Sequence, residues 1–288
     1  MRIFLLCVDA LEYDFVAERD FSYLKQKQFF KVEIPTNCMS IFRDENGEEI
    51  LSPYTPVIWK TIFTGKSPSE PSEAKPPERW KNPLLNWLRS ISLARKMYVG
   101  LVKIGILKFG LPERLGFERT PLAEPSETFL RMAKRPIIVH NPLASDIRWI
   151  AKPLHGGFKP KEIVEDRLKV FMKEKEETLS KLDEDWDLFI TYTKLLDIVG
   201  HLYWHKSWIV RKYYRMVDRF AGQVQSQLPK DAFMMIISDH GMKPMHGLSV
   251  GGEHSHHAFA SFSHKIAVPT PLKITDIYDV IVSILNRR

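Results

Sequence analysis

Aspartate, histidine and hydroxyl residues stand where the apolar segments of this 288-residue chain stop. Asp9 closes "RIFLLCVDA", Thr55 lies in "SPYTPVIWKTIFTGK", Asp197 and His201 fall in "LLDIVGHLYWH", and Asp239 and His240 follow "MMIIS". A glycine-flanked "GGEHSHHAF" adds His254, His256 and His257. Imidazole and carboxylate are the usual ligands of zinc and similar divalent ions when cysteine is absent. Three aspartates and several histidines exceed what one tetrahedral ion needs and suit two, the number that clamps the attacking and leaving oxygens of a phosphoryl displacement. A hydroxyl such as that of Thr55, coordinated to one ion, loses its proton readily and can attack phosphorus. Each signal alone has a plainer reading. An aspartate after a strand is commonly a turn or helix cap, Asp197 and His201 have the spacing of an ordinary helix-surface pair, and the three histidines could form an exposed polar loop.

The elements that must position these residues are legible. "RIFLLCVDA", "RPIIVHNP", "WDLFITYTK" and "DAFMMIISDH" are short and continuously apolar, the mark of strands covered on both faces in a parallel sheet. Between them run helical patterns. In "KEIVEDRLKVFMKEKEETLSKL" the residues Ile163, Val164, Leu168, Phe171 and Met172 make one apolar stripe, and Tyr214, Val217, Ala221, Val224 and Leu228 make another. "TDIYDVIVSILNRR" reads as a closing helix capped by Thr275. The fold class is therefore α/β, with a mostly parallel central sheet and helices on both faces. In such sheets ligands bind outside the carboxyl ends of the strands, where residues far apart in sequence converge.

At 44% hydrophobic the chain fits one domain over 1–288. Residues 69–134 break the rhythm as a basic amphipathic, mainly helical insertion. Trp80 to Pro112 hold six basic residues and no acidic one, interleaved with Trp, Leu, Ile, Met and Tyr. This segment reads as a cap on the core, or as a lid over an anionic ligand or a contact with an anionic membrane surface. The net charge of +7 favours anionic partners without choosing among them. Ile3 to Val8 is too short to span a membrane and reads as a strand. Two cysteines, Cys7 and Cys38, fall short of a disulfide framework, which points to a cytoplasmic location.

In chain order the set resembles the alkaline phosphatase superfamily, and within it the type I phosphodiesterase/nucleotide pyrophosphatase branch. "VDA" is similar to that branch's metal-binding first strand end, and "TPVIWKTIFTGKSP" to its nucleophile motif. "DIVGH", "SDHGM" and "GEHSHHA" resemble its later ligand motifs. The resemblance implies an alkaline-phosphatase-like fold with a helical cap. It implies two divalent ions, zinc or else manganese, one on Asp197, His201 and His254 and the other on Asp9, Thr55, Asp239 and His240. It makes Thr55 the nucleophile of a covalent intermediate, with Tyr54 and Ser52 as the alternative hydroxyls for that role, and selects His254 over His256 and His257.

The expected activity is hydrolysis of phosphodiesters or nucleotide pyrophosphates on a phosphorylated small-molecule or lipid-linked substrate. A monoesterase of the same superfamily usually supplies an arginine beside the nucleophile, whereas Lys60 and Lys66 stand there. A phosphomonoesterase or phosphomutase is the nearest alternative. From another class comes a membrane-surface or nucleic-acid-binding protein with a vestigial metal site, although no feature specifies a nucleic acid and none fixes an oligomeric state.

Overall fold

The computed structural model describes residues 2–43, 48–73, 122–144, 159–245 and 251–286, with the single positions 84, 87, 91, 97 and 101. Most of the 69–134 insertion, including nearly all of Trp80 to Pro112, lies outside the described residues.

Six strands form the main sheet in the order β2-β11-β8-β1-β7-β6. β1 (Arg2–Val8) is central and pairs in parallel with β7 (Leu188–Thr193) and β8 (Ala232–Ile237), and β7 pairs in parallel with β6 (Pro136–Ile138). On the other side β11 (His257–Phe262) runs antiparallel between β8 and β2 (Gln28–Glu33). The sheet is thus mostly parallel, as expected. β6 departs from expectation: its Ile138 is exposed, so this strand is an edge rather than a strand covered on both faces.

Alternation along β1 divides the core in two. Ile3, Leu5 and Cys7 face α3 (Thr55–Thr64) and α7 (Asp276–Leu285). Phe4, Leu6 and Val8 face α4 (Pro160–Ser180), α5 (Leu195–Tyr203) and α6 (Ser207–Gln227). Each fully buried side chain of this kind stabilises the fold by about 1.5–3 kcal/mol. That reserve is what allows the strand ends to carry buried carboxylates. The stripe of α4 forms as expected except at Met172, which is 37% exposed. α7 begins at Thr275 without a side-chain cap; Asp276 instead accepts from the Lys273 amide.

Two small sheets flank the carboxyl edge. β3 (Met39–Arg43), β4 (Glu49–Pro53) and β5 (Ser72–Glu73) form one, and β4 delivers the chain through Tyr54 into α3. β9 (Gly241–Pro244) and β10 (Gly252–Ser255) form the other. α3 ends at Gly65, whose φ of 69° is left-handed. A Cβ there would lie 2.7 Å from the Tyr278 ring, so glycine serves both the turn and the close packing.

Candidate metal centre

The fold brings together all seven side chains that the sequence singles out. Asp9 follows β1, and its amide extends the ladder to the Thr193 carbonyl at 3.0 Å, which fixes the strand end. Immediately after it, Ala10 adopts a φ of 61°, turning the chain sharply away from the sheet. Ser238 follows β8 and staples two segments, donating to the His240 carbonyl at 2.6 Å and accepting from the Leu11 amide at 2.9 Å. Asp239 and His240 stand between β8 and β9. His254 lies in β10, paired opposite Met242 of β9, so one ribbon carries both histidine segments. Asp197 and His201 project from α5 one turn apart, and Thr55 is the first residue of α3.

Three histidines share one arrangement. His240 Nδ1 donates to the Gly241 carbonyl at 2.9 Å, His201 Nδ1 to the Gly252 carbonyl at 2.9 Å, and His254 Nδ1 to the Pro53 carbonyl at 3.0 Å. A carbonyl only accepts, so each Nδ1 carries a proton and each Nε2 is the atom turned inward. Those Nε2 atoms converge on the carboxylates. His240 Nε2 lies 3.3 Å from Asp9 Oδ1, 3.4 Å from Asp239 Oδ2 and 3.1 Å from Thr55 Oγ1. His201 Nε2 lies 3.1 Å from Asp197 Oδ1 and 3.0 Å from His254 Nε2. The His240 and His254 rings stack with centroids 3.7 Å apart, linking the two halves.

The donors fall into overlapping sets. Asp197, His201 and His254 offer ligand atoms within 4.8 Å of one another, and so do Asp9, Asp197 and His240. Asp197 is therefore within reach of both sets, a sharing that motif order did not anticipate. Of the other histidines, His256 is exposed and His257 turns to Glu12 at 2.5 Å. Tyr54 packs edge-on against Phe42, and Ser52 sits in β4 opposite Ser40.

The electrostatics are those of a site built around cations. Asp9 Oδ1, Asp197 Oδ1 and both oxygens of Asp239 are buried, and they meet no donor beyond the facing imidazoles and, at Asp239, the Thr55 hydroxyl. Buried carboxylate oxygens in that condition are costly unless something positive satisfies them. Burial, with the nearby charge of Asp9, pushes the Asp239 carboxyl well above the usual range. Burial pulls the His240 imidazole down, but the Asp239 and Asp9 charges outweigh it and raise the pKa to about 10. At Asp197 burial is likewise outweighed by His201 and His254, which hold the carboxyl well below its ordinary value. Divalent ions fit this donor set: hard carboxylate oxygens, imidazole nitrogens of fixed tautomer and no cysteine.

Several supporting residues carry no motif signal. Tyr192 donates to Asp9 Oδ2 at 2.5 Å. Glu12 is buried and accepts from the Asp14 amide at 3.0 Å, the Met242 amide at 2.9 Å, the Ser255 hydroxyl at 2.7 Å and His257. One carboxylate thereby ties the segment after Asp9 to β9, β10 and β11. Tyr214 braces that segment too, accepting from the Glu12 amide and donating to the Ala10 carbonyl. Burial beside a strand end was the available signal, and it does not separate such residues from ordinary core.

Residues 131–263 match the type I phosphodiesterase/nucleotide pyrophosphatase family. The phosphodiesterase-type stretch contains Asp197, His201, Asp239, His240 and His254, while Asp9 and Thr55 lie outside it and join it only in the fold. The resemblance to the type I phosphodiesterase/nucleotide pyrophosphatase family is thus borne out over residues 131–263. No curated protein matches the chain. Among solved structures, the PH0037 protein from Pyrococcus horikoshii superposes with a TM-score of 0.50 at 11% identity, covering 100% of this chain and 97% of that one, which shows a shared fold. TAB5 alkaline phosphatase gives a TM-score of 0.45 at 11% identity over 99% of this chain and 97% of its own. Murine ectonucleotide pyrophosphatase/phosphodiesterase 5 gives 0.38 at 13% identity over 84% of this chain and 58% of its own.

Proposed function

We propose that this protein is a two-metal hydrolase of phosphate diesters or nucleotide pyrophosphates that works through a covalent intermediate on Thr55. The observation that carries the reading is the convergence of three Nδ1-tethered histidines on three buried carboxylates, with the Thr55 hydroxyl beside them. Asp197, His201 and His254 would hold one ion, and Asp9, Asp239, His240 and Thr55 the other. Zinc is the preferred metal given three imidazoles, with manganese as the alternative. Such ions, when bound, lower the pKa of a coordinated hydroxyl or water and offset the charge on the phosphoryl oxygens.

The chain's own groups account for the remaining steps. Thr55 presents its Oγ1 at the amino end of α3, where the helix dipole favours an anion. The oxygen attacks phosphorus, the alcohol or nucleoside-phosphate group leaves from the opposite side, and water then cleaves the threonine ester. The carbonyl tethers keep the three Nε2 atoms aimed inward throughout. Lys60 and Lys66 are exposed and no arginine lies between Ser52 and Lys66, so nothing on α3 grips the additional charge of a monoester. That favours diesters over the phosphomonoesterase alternative.

A phosphorylated small molecule or a lipid-linked diphosphate is the substrate class proposed. A reducing, cytoplasmic setting fits two cysteines that are both free and buried. No helix among the described residues is long and apolar enough to cross a membrane. The test is bound metal measured together with turnover of a bis-aryl phosphate diester and an aryl monoester. The expected result is two divalent ions per chain, diester preference, and a loss on the order of 10³-fold or more in Thr55→Ala with metal retained. Metal-replete protein inactive on both substrates overturns the reading.

A further inference from the structure

α6 has two faces of opposite character. Val210, Tyr213, Tyr214, Val217, Phe220 and Val224 are buried in the core. The outward face carries Trp208, Arg211, Lys212, Arg215 and Arg219, all exposed, with Trp208 at 71%. At about 100° per residue these five side chains fall within an arc of about 100°, and they run about 16 Å along the helix. None of the four cations forms an ion pair among the described residues, and Lys212 lies against the Tyr213 ring at 5.5 Å. The helix's single acid, Asp218, sits at the margin of this arc and accepts from the Tyr23 and Leu24 amides.

We propose that this face docks the protein on an anionic lipid bilayer. A line of exposed cations without ion pairs among the described residues, on a rigid helix, complements a sheet of anionic headgroups. The large exposed aromatic at its end has the chemistry of an interfacial anchor, an apolar body with one polar N–H. Single-stranded nucleic acid is less well served, because its bases need aromatic side chains interleaved with the cations, and here the one exposed indole lies at the end of the row. The placement has a consequence for the metal centre. Trp208 comes seven positions after His201, and the intervening His205 accepts from the Gly251 amide on the β9–β10 side, so the anchored end of α6 adjoins the segment that carries the ligands. Docking would hold the centre close to the headgroup plane. The surface stands on its own residues and does not depend on the hydrolase reading.

Co-sedimentation of the full chain with vesicles of phosphatidylcholine alone, or of phosphatidylcholine with phosphatidylserine, tests it. The expected result is binding to the phosphatidylserine vesicles only, weakened by salt. Each cation near an anionic surface strengthens partition about fivefold, so joint replacement of Arg211, Lys212, Arg215 and Arg219 by glutamine should weaken binding on the order of several hundredfold. Trp208→Ala, a truncation of an exposed side chain, should weaken it several-fold without changing thermal stability. Equal binding of the glutamine variant, equal binding to neutral vesicles, or tighter binding to a single-stranded oligonucleotide overturns the proposal. Turnover of a water-soluble diester, read in parallel, separates the two readings: its absence while docking persists counts against the hydrolase alone.

Discussion

The Tyr192 phenol donates to Asp9 Oδ2 at 2.5 Å, while Oδ1 of the same carboxylate faces His240 Nε2 at 3.3 Å. One oxygen is thereby anchored to the sheet and the other is aimed at the cluster. Outer partners of this kind orient a metal ligand, and their loss typically weakens metal binding 10–100-fold. Tyr192→Phe should therefore lower divalent-metal affinity about tenfold or more, measured by competition with a chelator, while far-UV circular dichroism stays unchanged.

Asp239 illustrates the conflict between the site and the fold. Its carboxylate is fully buried beside Asp9, and burial with the Asp9 charge disfavours the ionised form. Asp239→Asn removes that charge at nearly constant volume. The metal-free variant should melt a few degrees above the metal-free wild type. Added zinc should raise the wild-type melting temperature, since a ligand at about a hundred times its Kd adds about 2.7 kcal/mol, and should raise it less in the variant, which keeps only the Asp197, His201 and His254 set intact.

Metal uptake should release protons. The Asp239 and Asp9 charges raise the His240 pKa from 6.5 to about 10, so in the metal-free protein this imidazole is protonated at neutral pH. The bound proton stabilises the metal-free fold fully below the unfolded pKa near 6.5, and that contribution fades as pH rises through the folded value near 10. A metal ligand must be neutral, so the ion competes with this proton and affinity should climb up to about tenfold per pH unit across that window. Calorimetric titration in two buffers of different ionisation enthalpy would count the protons released, and a count of zero contradicts the assignment of His240 as a ligand.

Glu12 should behave as a structural acid. Burial opposes its ionisation, but hydrogen bonds from His257, Ser255 and the Asp14 amide prevail and lower its pKa from 4.5. A depressed carboxyl stabilises the fold above the unfolded pKa, and this contribution is lost as pH falls below 4.5 through the folded value. Glu12→Gln puts an amide N–H₂ among groups that all donate, so it should cost about 2–3 kcal/mol at neutral pH. The variant's urea midpoint should also fall less steeply than the wild type's on acidification.

What could be read from the sequence followed periodicity. β1, β7 and β8 announce themselves because "IFLLCV", "LFITYT" and "AFMMII" are apolar on both faces, and the polar residues after them mark the carboxyl edge. β2, β9 and β10 do not, since "QFFKVE", "GMKP" and "GEHS" are short or half-exposed and gain their identity only through pairing. His254, His256 and His257 could be ranked only by family resemblance. The structure places His254 in β10 against Pro53, leaves His256 exposed and gives His257 to Glu12, a partner 245 positions away that no local pattern reveals. Tyr192 was hidden for the opposite reason, as one more aromatic in an apolar strand.

The wide separation of these partners also orders events during synthesis. Tyr192 reaches back 183 positions to Asp9, and the His254 imidazole reaches back 201 positions to the Pro53 carbonyl. A nascent chain emerging from the ribosome therefore holds Asp9 and Thr55 long before β7, β9 and β10 exist to orient or complete the ligand set. On the proposed ligand set, translation products truncated before β10 should not bind a divalent ion at the His254 position, which equilibrium dialysis of such fragments would check.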